Sequence, residues 1–300
     1  MFPKLKYQVL LHAIIIMWGF TGILGKLIHL DAIVIVWHRI IIAIIALFIA
    51  MVILKKGFKI PNKKRFTQIL IIGVFVGLHW ITFYQSIQLS TASLGILCLS
   101  TTTLHVAWIE PLITKRPFSF LELILGAVVI IGIYFVASDF GGDELKAVGF
   151  GLLSALFAAI FSVYNGVFTK DTKPSIISFY ELISAAAAIT LILLFQGRFD
   201  ASLFIMTASD FWWLLFLGVL CTSFAFLATI EVIKVLGAFS VSLSINLEPI
   251  YTIILAVFIL NEDELLNNNF YLGASIIIVV VLLNALIKSS FFKKLFLSKK

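Results

Sequence analysis

Ten apolar segments, each about 20 residues long, follow one another with only short connections between them. They cover roughly 7–28, 32–54, 67–89, 91–114, 120–138, 148–169, 175–196, 211–233, 237–260 and 270–287. A helix of that length, rising ~1.5 Å per residue, crosses the hydrocarbon core of a bilayer. The connections leave no room for a soluble domain. With 62% hydrophobic and 12% charged residues and a mean hydropathy of +1.15, the chain has too little polar surface to coat a water-soluble globule. The sequence therefore predicts an all-α integral membrane protein with ten transmembrane helices. Lys4 and Lys6 precede the first segment without a small-x-small cleavage pattern, so that segment is expected to stay as a span.

A net charge of +7 would fit a nucleic-acid partner only if the basic residues made a face or a recognition motif. Here they sit in short clusters between apolar runs, and no nucleic-acid binding is expected. Of the 22 Lys and Arg residues, 18 fall on the side of the amino terminus, against only Lys26, Lys146 and Arg198 on the other. Arg39 lies inside a span. That asymmetry predicts both termini in the cytoplasm and a multi-pass protein of the cell (inner) membrane. Cys98 and Cys221 both fall in apolar segments, where a lone thiol behaves as a small hydrophobe. No disulfide framework, metal set or cofactor motif is legible.

The two halves of the chain echo each other at an offset near 145 residues. Gly73 answers Gly218, Ala92-Ser93 answers Gly237-Ala238, Gly126 answers Gly273, and Lys26 answers Lys170. The division falls at 1–144 and 145–300, with five spans in each part and a short basic tail after the last span. Because five is odd, the second copy enters the membrane inverted relative to the first, as in many secondary transporters, whose sites lie at the centre between repeats.

The segment 237–260 carries Glu248 and Pro249 at its middle. A carboxyl at membrane depth costs roughly 2.5–3.5 kcal/mol on insertion scales, so it needs a cavity, a partner or a proton. Pro249 has no N–H, leaves the Ile245 carbonyl without its helical partner, and predicts a kink. Ser240, Ser244, Glu248 and Tyr251 recur at helical spacing and share a face.

Other polar groups fall at depth as well. Arg39 either snorkels, makes a structural ion pair with Glu181 or Glu231, or offers its fork to a bidentate anion in a cavity. Gly73, Gly77, Trp80, Tyr84 and Gln88 form one stripe of the third span. The glycines suit close packing, whereas the rings and the amide suit the wall of a cavity holding a small amphipathic molecule. The hydroxyls of Ser100 to Thr103 stand where the repeat places the counterpart of Asn246 to Glu248, and Thr103 is the candidate among them. Glu181 and Glu231 lie near span ends, where access to water would account for both.

Trp18-Gly19-Phe20, Trp37-His38-Arg39, Leu247-Glu248-Pro249, Glu262 and Gly273, together with the ten-span plan, resemble the drug/metabolite transporter superfamily, in its ten-helix type with two EamA domains. The resemblance covers nearly the whole chain. It implies a ten-helix bundle with cytoplasmic termini, a central cavity, and export or exchange of small metabolites such as amino acids. One departure is plain: an acidic residue often precedes the last span of each half, which Glu262 satisfies, but Lys115-Arg116 stands at that place in the first half.

The expected function is a secondary transporter of amino-acid-like metabolites working by alternating access, with protons as a candidate coupling ion. The expected substrate-binding residues are Trp18, Arg39, Trp80, Tyr84, Gln88, Thr103, Tyr164, Asn246 and Glu248, with Pro249 as the kink. The alternatives are an intramembrane enzyme or a non-transporting receptor or scaffold. For the enzyme, His38, His79 and His105 fall in different spans without a metal-ligand pair, and no nucleophile elbow or nucleotide-binding loop is present. A scaffold would not need polar residues at midplane in both halves.

Overall fold

The computed structural model describes residues 2–115, 117–138, 141–236, 241 and 244–287. All regular structure among them is helical. The first half comprises α1 (Phe2–Leu27), α2 (Ala32–Ile53), α3 (Lys63–Leu89), α4 (Ala92–Ser100), α5 (Thr102–Thr114) and α6 (Phe120–Ala137). The second comprises α7 (Gly142–Phe168), α8 (Pro174–Phe195), α9 (Ala208–Gly218), a π-helical turn (Val219–Phe224), α10 (Ala225–Leu236), α11 (Glu248–Leu260) and α12 (Asn268–Ile287). Single spans are thus built from α4 with α5 and from α9 with the π turn and α10. Among the described residues eight spans are long and apolar enough to cross a membrane, and α11 and α12 are shorter apolar helices. Residues 237–240, 242 and 243, including Ser240, lie outside the described residues.

Local chemistry sets the ends. Asn62 and Thr91 accept the backbone N–H groups of Arg65 and Leu94 at 2.9 and 3.0 Å, taking up donors that a helix start leaves over. Thr207 and Asp210 form a reciprocal capping box at the start of α9. Lys115 and Asn261 close α5 and α11 with φ of 59° and 53°, left-handed conformations that end a helix.

The fourth and ninth spans are both interrupted. In the fourth, Ser100, Thr101 and Thr102 each donate to the carbonyl three residues back, at 2.6 Å, and α4 ends where α5 begins. In the ninth, Asn246 and Leu247 form a turn and α11 starts at Glu248. Pro249 therefore does not kink a continuous helix. It occupies the first turn of a new one, where its missing N–H has no intrahelical partner to lose. Thr101 and Asn246 stand near the repeat offset, so the two interruptions are counterparts.

Close helix crossings follow the repeat too. At Gly73 a Cβ would lie 2.4 Å from the Glu181 carbonyl oxygen, so α3 meets the backbone of α8 there. At Gly218 it would lie 3.1 Å from the Arg39 carbonyl oxygen and 2.6 Å from Ile42, so the eighth span meets α2 in the same manner. The outermost pair is α6 against α12, joined where the Gly132 and Gly273 backbones touch.

One face of the bundle, formed by residues 28–31, 90–91 and 196–207 and the 261–267 turn, is tied across the halves. Asp210 accepts the His29 N–H at 2.9 Å, Arg198 pairs with Asp31, and Glu262 accepts the Ala92 and Ser93 amides. At the opposite face Arg65 forks onto Asp171 at 3.1 and 2.6 Å, and Tyr180 donates to the Phe58 carbonyl at 3.1 Å.

Candidate functional site

A cavity of about 440 Å³ opens at the centre of the bundle. Both halves wall it: Trp18, Thr21, Arg39, His79 and Trp80 come from the first, and Asn165, Ser178, Glu181, Thr222 and Glu248 from the second. Among the described residues, none of α6 or α12 lines it.

Arg39 is 4% exposed and held from three sides. Its guanidinium carbon lies 4.1 Å from the centroid of the Trp80 ring, its Nε donates to Thr222 Oγ1 at 3.0 Å, and Nη1 reaches the Tyr84 hydroxyl at 3.4 Å. Thr222 owes its position to the π turn, in which its hydroxyl also donates five residues back to the Leu217 carbonyl at 2.8 Å. Among the described residues no carboxylate reaches Arg39 within ion-pair distance, so the structural ion pair with Glu181 or Glu231 is not formed. A desolvated cation over a ring is worth about 2 kcal/mol, which fixes the fork without neutralising its charge.

Glu248 enters from the first turn of α11, within the electrostatic reach of Arg39. Its placement depends on a tight crossing: Thr252 Oγ1 donates to the Gly19 carbonyl at 3.2 Å, and a Cβ at Gly19 would lie 3.0 Å from that hydroxyl. The glycine next to Trp18 thus lets α1 and α11 approach, and Trp18 and Glu248 arrive at one wall.

The structure brings Trp18, Arg39, Trp80 and Glu248 together at the cavity and sends the other expected residues elsewhere. Tyr84 is fully buried behind Arg39, donating to the Thr21 carbonyl at 3.3 Å. Gln88 spans the turn between α1 and α2, accepting the Ala32 N–H at 3.0 Å and donating to the Leu30 carbonyl at 2.7 Å. Thr103 turns its hydroxyl back to the Ser100 carbonyl at 3.4 Å. Tyr164 lines a separate, apolar groove with Phe75, Trp108 and Leu112. Asn246 sits in the turn before α11, while its neighbour Ile245 is the one that reaches the cavity. Tyr251, expected on the Glu248 face, bonds His12 through its hydroxyl at 2.9 Å.

Sequence reasoning missed Asn165 and Glu181 at the cavity. Glu181 is 3% exposed, so access to water does not account for it. A signal was present: counted from the starts of α8 and α2, Glu181 and Arg39 hold the same position.

Compared with known proteins, the sequence matches the model of the EamA-like transporter family twice, over residues 5–138 and 145–286. The chain belongs to the EamA-like transporter family. Its fold is similar to that of a solved structure titled only as the crystal structure of a protein, with a TM-score of 0.65 at 12% identity, over 96% of this chain and 99% of the other. No curated protein matches it. The two family matches fall on either side of 139–144, so the central cavity of this EamA-like chain lies between its two matched halves.

Proposed function

We propose that this EamA-like transporter exports or exchanges small, amino-acid-like metabolites across the cell membrane by alternating access, with both termini in the cytoplasm. The observation that carries the reading is the central cavity between the halves, where Arg39 is held over Trp80 without a carboxylate partner among the described residues and Glu248 stands in its field. A fixed guanidinium matches a carboxylate, a nearby carboxyl matches an ammonium or a proton, and the rings shelter an apolar body. Arg39, Trp80 and Glu248 are assigned as substrate-binding residues, with the proton as the coupling ion at Glu248.

Comparison of metabolite pools in cells and medium, with and without expression, tests the transport reading. Selective movement of amino-acid-like compounds into the medium is expected, and identical pools would sink it. Cysteines at Asn62 and Asn268, both exposed, test the orientation. Asn62→Cys should label only from the cytoplasm and Asn268→Cys only from outside, and the reverse pattern would invert the topology.

A further inference from the structure

At the pole of the cavity away from Arg39, α7 and α8 each present a polar pair one turn apart: Ser162 with Asn165, and Ser178 with Glu181. Asn165 Nδ2 donates to Glu181 Oε2 at 3.2 Å, which leaves Asn165 Oδ1 and Glu181 Oε1 as buried atoms with no hydrogen-bond partner among the described residues. An ionised carboxylate only accepts, and a buried acceptor without a donor is costly. These two atoms, on side chains joined by one hydrogen bond at the edge of a cavity, suit an occupant rich in N–H donors.

The symmetry of the fold says where this pole lies. Gly218 packs on the Arg39 backbone and Gly73 packs on the Glu181 backbone, so the two charged residues occupy equivalent places in the inverted halves. Inversion puts them at opposite depths with opposite charge. Glu181 is level with Gly73, while Arg39 lies over Trp80, seven residues further along α3 and therefore about 10 Å away along the helix axis.

We infer that Asn165 and Glu181 form a subsite for the ammonium end of the carried molecule, opposite an anion-binding end at Arg39, so that the cavity takes extended molecules with separated opposite charges. This rests on the transporter reading above and deepens it by naming a second pole. A compact α-amino acid would engage one pole at a time, whereas an ω-amino acid would engage both.

The test uses the whole protein in lipid nanodiscs and calorimetric titration with 6-aminohexanoate, hexanoate and hexylamine. Wild type is expected to bind 6-aminohexanoate more tightly than hexanoate. Glu181→Gln, which keeps the shape of the side chain and removes its charge, should weaken both amines about tenfold or more and leave hexanoate unchanged. Equal responses to 6-aminohexanoate and hexanoate in wild type, no response to either included, would overturn the proposal, as would an amine preference retained in Glu181→Gln. Should that variant fail to fold, Ser178→Lys, one turn before Glu181, supplies an internal ammonium. It is expected to abolish amine binding, and wild-type amine affinity there would equally overturn the subsite. Flux measurements separate the two readings. Amine binding that depends on Glu181 in a protein that moves no metabolite would remove transport and keep the subsite, whereas flux of amine compounds indifferent to Glu181→Gln would remove the subsite and keep transport.

Discussion

Glu262 Oε1 accepts the Ala92 amide at 2.7 Å, so a carboxylate of the second half caps the first turn of a helix of the first, with Oε2 taking the Ser93 amide at 2.9 Å. Glu262 is 2% exposed, and a negative charge at a helix start is favoured by the unpaired amides there. Glu262→Ala would leave two buried donors unsatisfied at a cost of about 1–3 kcal/mol. A lower melting temperature of the purified protein is expected, and an unshifted one would show that the clamp adds nothing to stability.

Trp80 supplies the ring under Arg39 and part of the cavity wall. Trp80→Ala should lower transport about tenfold or more, given a cation–π contribution of about 2 kcal/mol, with the amount of protein in the membrane unchanged. Full transport at matched expression would return Trp80 to a packing role.

Glu248 is a cavity carboxyl on which Arg39 acts electrostatically. Glu248→Gln keeps size and hydrogen bonding and removes the titrating charge. In proteoliposomes the wild-type rate should change with pH and that of the variant should be flat. A wild-type pH profile in the Gln variant would end the assignment of proton coupling to this residue.

The Arg65 fork holds the Asp171 carboxyl below the usual carboxylate range, chiefly through its hydrogen bonds. A carboxyl with a lowered folded pKa stabilises the fold above its unfolded pKa of about 3.9 and loses that contribution as pH falls through the folded value. Asp171→Asn is therefore expected to melt lower than wild type at neutral pH and to converge with it in acid. A gap between the two that persists or widens toward about pH 3 would contradict the pairing.

The spans were legible because length and apolarity decide a membrane helix and short polar turns decide its ends. The boundary that moved most, the start of α7 at Gly142, did so because its first turn is polar and hydropathy rises only later. The site was less legible. The stripe from Gly73 to Gln88 does share one face, but α3 is long enough to pass three surroundings in turn: the α8 backbone at Gly73, the cavity at Trp80, and the 30–32 turn at Gln88. Helical spacing tells which residues align and not what each one meets. Distance to a span end is a poor guide to Glu181, whose burial is set by how closely Gly73 lets α3 approach. The π turn that aims Thr222 at Arg39 has no counterpart in hydropathy.

The interruptions at Thr101 and at Asn246–Leu247 also bear on how force travels through the molecule. An unbroken rod swings as one lever, so pulling its outer tip must displace its inner tip. α4, capped by Glu262 at its first turn, ends at Ser100 and α5 begins at Thr102, while in the second half α11 starts afresh at Glu248 after the Asn246–Leu247 turn. At the depth of the cavity each half therefore has a place where bending disturbs fewer backbone hydrogen bonds than it would in an unbroken helix.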